Sequence, residues 1–200
     1  DALEIEPIDQ RAWPLVQDSL RQWTGQPEKL RSGDQQTIAS LFEGLILTGI
    51  AMQISSSSRP ASGSEHRFSH LWEMQALGHG HAPIPHGFKV GIGTLAAAAL
   101  YERVLTRDLS NIDIERCCAA WPSAEQMEQI VLQGHDIPQL ATNAAQETLS
   151  KYMSTEQLRQ RLNTIQQRWP ALRHKLSQQL MSTQQLQILL ATAGCPTELS

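Results

Sequence analysis

The sequence has little positive charge and few cysteines, and each shortage excludes a class of protein. Its 16 Lys and Arg residues are outnumbered by 20 Asp and Glu residues, which gives a formal net charge of -4. Nucleic-acid-binding proteins present a basic surface, so we expect no nucleic-acid partner. The cysteines are Cys117, Cys118 and Cys195. An odd number with two adjacent members does not form a disulfide framework, which favours a reducing cytoplasm.

Long uninterrupted hydrophobic runs are also missing. The most apolar stretch of the first half, residues 45–54, is interrupted by Thr48, Gly49 and Gln53. It is therefore too short and too polar for a membrane span. The sequence also lacks the pattern of a signal peptide. We expect no membrane partner.

Strand-forming patterns are scarce, and what remains favours helices. Aromatic residues make up 5% of the chain, while Gln, Leu and Ala dominate. Apolar residues recur at helical spacing, and Ser-x-x-Glu or Ser-x-x-Gln capping boxes mark several helix starts. These boxes begin at Ser62, Ser123, Ser154 and Ser182. With no linker long enough to divide the chain, we predict that residues 1–200 form a single all-α domain, a multi-helical bundle of eight to ten helices.

Three segments carry more detailed expectations. Residues 9–23 are predicted to form one helix, because their apolar residues follow helical spacing. Residues 34–55 have a wide apolar face, which predicts a central, buried helix. The helix that starts at Ser154 is predicted to end before Pro170, because proline interrupts the hydrogen bonds of a helix interior.

Histidines are concentrated in one short segment. Of seven in the chain, five lie between residues 66 and 86: His66, His70, His79, His81 and His86. His66 and His70 share one helix face, and a helix-loop-helix can bring His86 opposite His66. Imidazole is a common metal ligand, and a catalytic metal site uses about three protein ligands. The alternative is that these three are ordinary surface or hydrogen-bonded histidines. His79 and His81, like the more distant His135 and His174, are expected to be solvated.

Other motifs carry weaker signals. Gly91-x-Gly93 lacks a third glycine and a preceding strand, so it is not a dinucleotide-binding fingerprint. Glu65 precedes His66 rather than following it, which excludes the His-Glu-x-x-His pattern of zinc peptidases. The serines of residues 55–58 with Arg59 either bind an anion or form a solvated turn.

Three runs of residues around the histidines form a recognisable signature. They are Ser58-Arg59-Pro60-Ala61-Ser62-Gly63-Ser64-Glu65-His66, Ser69-His70-x-Trp72-Glu73 and Pro85-His86-Gly87-x-Lys89-Val90-Gly91. These runs resemble the sn-glycerol-1-phosphate dehydrogenases, and most of all the bacterial branch often found beside arabinose-utilisation genes. That family belongs to the superfamily of iron-containing alcohol dehydrogenases, glycerol dehydrogenases and dehydroquinate synthases. The resemblance extends from about residue 34 to 196.

The resemblance implies a site and a chemistry. In the family, one Asp and two His hold the metal, and the two His match His66 and His86. The match of His70 implies a catalytic residue near the substrate, and Arg59, Ser62 and Ser64 are expected to contact substrate. The metal is expected to be Zn²⁺, with Ni²⁺ or Fe²⁺ as alternatives. It acts as a Lewis acid on a small phosphorylated polyol or on dihydroxyacetone phosphate. A homodimer is compatible with the resemblance.

The sequence also departs from the family pattern. Residues 1–33 do not match the Gly-Asp motif that supplies the third ligand, and Phe88 stands where the family usually has Glu. The resemblance implies an N-terminal α/β domain that binds NAD(P), and this chain does not match it. We therefore expect the C-terminal all-α, metal-binding domain of such an oxidoreductase, inactive without its upstream domain. The alternatives are a stand-alone helical scaffold with a degenerate site, or another reaction of the superfamily.

Overall fold

Helices account for all regular secondary structure within residues 3, 5, 7–78 and 84–198, the part of the chain that the computed structural model describes. In chain order they are α1 (Ala12–Gln17), α2 (Leu20–Thr24), α3 (Pro27–Ser32), α4 (Gln35–Ser55), α5 (Ser64–Gly78), α6 (His86–Leu105), α7 (Ile114–Ala119), α8 (Ala124–Gln133), α9 (Pro138–Ser150), α10 (Thr155–Gln179) and α11 (Thr183–Ala193), with a 3-10 turn at Leu109–Asn111. The predicted all-α fold class is confirmed.

Capping boxes start three of these helices as the sequence predicts. The side chains of Ser123, Ser154 and Ser182 each accept the backbone N–H of the Gln three residues on, and that Gln accepts the serine N–H in return. Two otherwise unpaired backbone donors are satisfied at each start. Helix α5 begins differently, at Ser64, where the Glu65 carboxylate accepts the Gly63 N–H at 2.7 Å.

Two predicted helix boundaries are wrong. The helix expected over residues 9–23 is divided into α1 and α2, with Asp18 and Ser19 between them; counted as one, the described residues contain ten α-helices. Helix α10 continues through Pro170. Trp169 beside it is 3% exposed, and its indole N–H donates to the Arg107 carbonyl at 3.1 Å. We infer that this anchoring offsets the hydrogen bond that proline removes.

Helix α4 is not the buried central helix that its composition predicts. It packs against α1 and α2, and its buried residues are Thr37, Gly44 and Ala51. On its other side Phe42 and Leu45 are 62% and 64% exposed. A wide apolar face needs neighbours on several sides, and the described elements cover one of them.

By length and composition α4 could cross a membrane, so the expectation that its apolar stretch is too short and too polar for a span is wrong. One such helix is weak evidence for a membrane protein, because the core helix of a soluble protein or a signal sequence passes the same test. The expectation that the protein has no membrane partner therefore stays a prediction.

Helices α5 and α6 form the closely packed pair that carries the histidines. A Cβ atom at Gly93 would lie 2.5 Å from the backbone oxygen of Glu65, so only glycine permits this approach. On α6, Ile92, Leu95 and Ala97 are buried. The close contact sets the start of α5 beside α6, and thereby fixes the spacing of side chains on the two helices.

Candidate functional site

The structure brings His66, His70 and His86 together, between the first half of α5 and the start of α6. Ring centroids are 5.3 Å apart for His66 and His86, 6.1 Å for His66 and His70, and 6.3 Å for His70 and His86. His66 and His70 lie one turn apart on α5, and His86 is the first residue of α6. The fold-back predicted from the sequence therefore occurs, while the chemical role of each histidine remains a prediction.

His66 is paired with the carboxylate of the preceding residue. Its Nδ1 lies 2.8 Å from Oε1 of Glu65, which also accepts the Gly63 N–H. Burial alone would raise the pKa of Glu65, but the hydrogen bonds with His66 and Gly63 outweigh it and hold that pKa below its usual value. An ionised carboxylate beside Nδ1 holds the ring and leaves Nε2 available to a ligand.

His86 has the same kind of partner, supplied by the other helix. Its Nδ1 lies 2.9 Å from Oε1 of Glu73, and Nζ of Lys89 lies 3.1 Å from the same oxygen. Hydrogen bonds with His86 and then with Lys89 lower the pKa of Glu73 to about 2. Lys89 is 7% exposed, and its ammonium donates to the Ile84 carbonyl at 2.7 Å. Buried Ser69 donates to Glu73 at 3.3 Å.

The roles of Glu65, Glu73 and Lys89 were missed by sequence reasoning, although all three lie within the signature runs. Glu73 follows Ser69 by four residues, and Lys89 follows His86 by three, so each pair shares one helix face. That spacing is the signal in the sequence that could have pointed to Glu73 and Lys89. The bond from Glu73 to His86 crosses between helices and depends on side-chain conformations that spacing does not specify.

A complete metal-ligand set is not found within the described residues. No group of three or more His, Cys, Asp or Glu side chains there is arranged to hold an ion. His66 and His86 fit two positions of such a site, because each has Nδ1 engaged by a carboxylate and Nε2 remaining. A catalytic site on this pair needs a third ligand.

The residues expected to contact substrate do not all line one cavity. Arg59 lines a cavity of about 520 Å³ together with Asp9 and Trp13. Ser64 lines a second cavity of about 1160 Å³, which adjoins the first because Trp13 and Gln17 line both. None of the three clustered histidines lines either cavity, and Ser62, which is half-buried, lines neither. The structure does not gather these residues into one cavity with the histidines.

The serines before Arg59 form a locally bonded turn. The single hydrogen of the Ser55 hydroxyl is shared between the carbonyls of Met52 and Ser57, each 3.2 Å away. Ser57 Oγ accepts the Arg59 N–H. Ser56 adopts a left-handed conformation at φ 48°. These contacts favour the solvated turn over an anion site.

The remaining histidines lie elsewhere. His174 is exposed and His135 is half-buried. The expectations for His79 and His81 fall outside the described residues.

The all-α bundle fits the helical domain of the dehydroquinate synthase-like fold that the family resemblance implies. Comparison with curated proteins finds relatives that share one name. The chain is 37% identical over 100 residues to glycerol-1-phosphate dehydrogenase [NAD(P)+] of Halalkalibacterium halodurans, a match of 50% of this chain and 25% of that protein. It is 38% identical over 98 residues to the Korarchaeum cryptofilum protein of the same name, covering 49% and 31%.

A third relative has the same name and is matched over a shorter stretch of sequence. Glycerol-1-phosphate dehydrogenase [NAD(P)+] of Thermococcus kodakarensis is 42% identical over 72 residues, covering 36% of this chain and 19% of that protein. The matched part of this chain is homologous to glycerol-1-phosphate dehydrogenases, which confirms the resemblance. The match with the Halalkalibacterium protein covers a quarter of that relative's length. No protein-family model matches the chain. No solved structure matches it either.

Proposed function

We propose that this chain is the C-terminal metal- and substrate-binding part of an NAD(P)-dependent oxidoreductase that interconverts dihydroxyacetone phosphate and glycerol 1-phosphate. The observation that carries the proposal is the pair His66 and His86, 5.3 Å apart between ring centroids and each bonded through Nδ1 to a carboxylate. The names of the relatives support the reaction class. In this proposal the NAD(P) is bound by the α/β domain that the family resemblance implies.

The spacing of the two rings suits a shared metal ion. Two imidazoles bound tetrahedrally through nitrogens about 2.0–2.1 Å from a metal have ring centroids roughly 5 Å apart. The distance between His66 and His86 agrees with this value. An Asp, as the family resemblance implies, would complete the set. Zn²⁺ is the favoured ion, and Ni²⁺ or Fe²⁺ accept similar ligands. When bound, such an ion supplies Lewis-acid polarisation of the substrate oxygen.

His70 is given a different role from the other two histidines. Its ring lies 6.1 Å from that of His66 and 6.3 Å from that of His86, and the residue is exposed. We propose that it holds or moves a proton at the substrate hydroxyl. Arg59, Ser62 and Ser64 remain proposed contacts of the phosphorylated polyol, which would require the turn before α5 to line the completed cleft.

A second candidate function has one observation in its favour. Because the described residues hold no three-ligand group, the chain could be a stand-alone helical scaffold with a degenerate site. Either function is compatible with the expected cytoplasmic location, with the expected lack of nucleic-acid and membrane partners, and with a homodimer. Metal affinity separates the two candidates.

Calorimetric titration of the 200-residue chain with Zn²⁺ tests the proposal. We expect one weak site, with the affinity reduced at least tenfold by His66→Ala and by His86→Ala. The matched control is His174→Ala, which removes an exposed histidine far along the chain and should leave the affinity unchanged. If the two site variants bind Zn²⁺ as the unmodified chain does, the scaffold function is favoured and the metal assignment is wrong.

A further inference from the structure

We propose that Glu73 and Lys89 form a positioning pair that fixes His86 in the tautomer able to bind a metal ion. The pair joins α5 to the start of α6, and its part in metal binding rests on the function proposed above.

A single oxygen of Glu73 gathers polar groups from both helices. Oε1 lies 2.9 Å from His86 Nδ1, 3.1 Å from Lys89 Nζ and 3.3 Å from Ser69 Oγ. Ser69 is fully buried and Lys89 nearly so, at 0% and 7% exposed. Packing on both sides therefore holds the carboxylate where His86 meets it, before any ligand arrives.

The contact with Glu73 selects one form of the His86 ring. A neutral imidazole carries one N–H, and an ionised carboxylate can only accept a hydrogen bond. The Ser69 hydroxyl also lies 3.4 Å from Nδ1, but its hydrogen is donated to Glu73. The proton of the ring must therefore lie on Nδ1, which leaves the lone pair of Nε2 free. Metal-binding histidines in proteins commonly have such a carboxylate partner, and losing it typically weakens metal affinity about 10–100-fold.

Lys89 explains why the carboxylate stays in place. A buried ammonium needs several acceptors, and Lys89 has the Ile84 carbonyl at 2.7 Å and Glu73 at 3.1 Å. Ile84 lies two residues before His86, so the same side chain secures the segment that enters α6. Lys89 thus fixes both the carboxylate and the backbone that carries the imidazole.

His66 provides an internal comparison on the same site. Its carboxylate, Glu65, is its immediate neighbour in sequence and lies 2.8 Å from Nδ1. Replacement of Glu65 should therefore affect His66 and leave His86 unchanged, whereas replacement of Glu73 should do the reverse. This reciprocity separates positioning of one ring from a general loosening of the α5–α6 pair.

The test is nitrogen-15 NMR of the histidine rings in the metal-free 200-residue chain, at a pH where they are neutral. We expect His86 in the Nδ1–H form. Glu73→Gln presents an amide that can donate to Nδ1, so the Nε2–H form of His86 should increase. Lys89→Met should shift the same equilibrium less, and Lys89→Arg, which keeps the charge, should restore it. Glu65→Gln should move the His66 signals alone. Far-UV circular dichroism checks that each variant is folded.

Zn²⁺ titration of the same variants distinguishes a failure of the positioning role of Glu73 and Lys89 from a failure of the metal-binding role of His86. The proposal predicts an affinity 10–100-fold lower for Glu73→Gln. An unchanged His86 tautomer in Glu73→Gln or Lys89→Met overturns the positioning role, whatever the metal affinity. A shifted tautomer with unchanged Zn²⁺ affinity supports the positioning of the ring and overturns the proposed metal role of His86.

Discussion

Helix α4 and the α5–α6 pair meet their surroundings in opposite ways. In the pair, the polar side chains of Ser69 and Lys89 are buried, and each has hydrogen-bond partners within the chain. On α4, Phe42 and Leu45 are apolar and more than half exposed. Buried polar groups require partners of defined geometry, whereas an apolar face accepts any apolar cover. The α5–α6 pair, which is proposed to carry the chemistry, thus has its buried polar groups hydrogen-bonded within the chain, whereas α4 leaves apolar side chains exposed.

The total exposed area is consistent with this contrast. The chain exposes 13451 Å². A compact monomer of 22.3 kDa would expose about 9,400 Å². The excess, roughly 4,000 Å², is several times the area of about 800 Å² that one partner contributes to a standard protein interface. The exposed face of α4 contributes to this excess.

The largest expected effect is a loss of stability, and it compares a substitution that empties the buried side of α4 with one on its exposed side. Trp23 is 6% exposed and its ring packs on Gly44. Trp23→Ala should reduce the free energy of unfolding by about 3–5 kcal/mol, because a large cavity replaces the ring. Phe42→Ala is the control on the exposed side, with an expected change within about 0.5 kcal/mol. Urea unfolding followed by circular dichroism measures both. Equal losses would mean that the face around Phe42 is covered in solution.

The second prediction tests the close contact within the α5–α6 pair. A Cβ atom at Gly93 would meet the Glu65 backbone oxygen at 2.5 Å, whereas one at Gly91 meets nothing within 4 Å. Gly93→Ala should therefore destabilise the fold by about 1–3 kcal/mol. Gly91→Ala, on the same helix, should stabilise it by about 0.4–1 kcal/mol because alanine has less freedom when unfolded. Thermal unfolding compares them, and a stabilising Gly93→Ala would show that the two helices lie farther apart.

The third prediction concerns a helix start that depends on local contacts alone. Ser154 Oγ accepts the Gln157 N–H at 3.2 Å, and the Gln157 side chain accepts the Ser154 N–H at 2.9 Å. Ser154→Ala should lower the free energy of unfolding by about 1 kcal/mol. Ser177→Ala, an exposed position inside the same helix, should cause no loss because alanine is the better helix former. Similar losses for the two variants in urea would contradict the capping role.

The features that could be predicted from the sequence are those that depend on local contacts. The three Ser-x-x-Gln boxes and the meeting of His66 with His86 were predictable, because each depends on spacing within a helix or across one short loop. The continuation of α10 past Pro170 was not, since the contact that we infer to offset the proline joins Trp169 to Arg107, 62 residues away. The exposure of α4 was not predictable either. Composition shows that a face is apolar, but only the tertiary arrangement shows whether anything covers it.

The same distinction between local and distant contacts applies to the residues of the candidate site. Its histidines could be named from the sequence, whereas the bond from Glu73 to His86 could not, because it joins residues 13 apart on two helices. Arg59, Ser62 and Ser64 were expected to contact substrate because of the family resemblance. In the structure Arg59 and Ser64 line two adjoining cavities, and Ser62 lines neither of them.

The smallest expected effect is a pH dependence at the start of α4. The Thr37 backbone N–H and hydroxyl both donate to the Asp34 carboxylate, and these bonds lower the pKa of Asp34. A carboxyl whose pKa is lowered by folding stabilises the fold above its unfolded pKa of about 3.9. That contribution is lost as the pH falls through the folded value. Asp34→Asn keeps a capping oxygen without the titration, so its stability should change less than that of the unmodified chain between about pH 5 and 3. Urea unfolding across this range measures the difference between the two curves. Parallel curves would mean that the cap at Asp34 does not persist in solution, and that α4 depends on its apolar contacts alone.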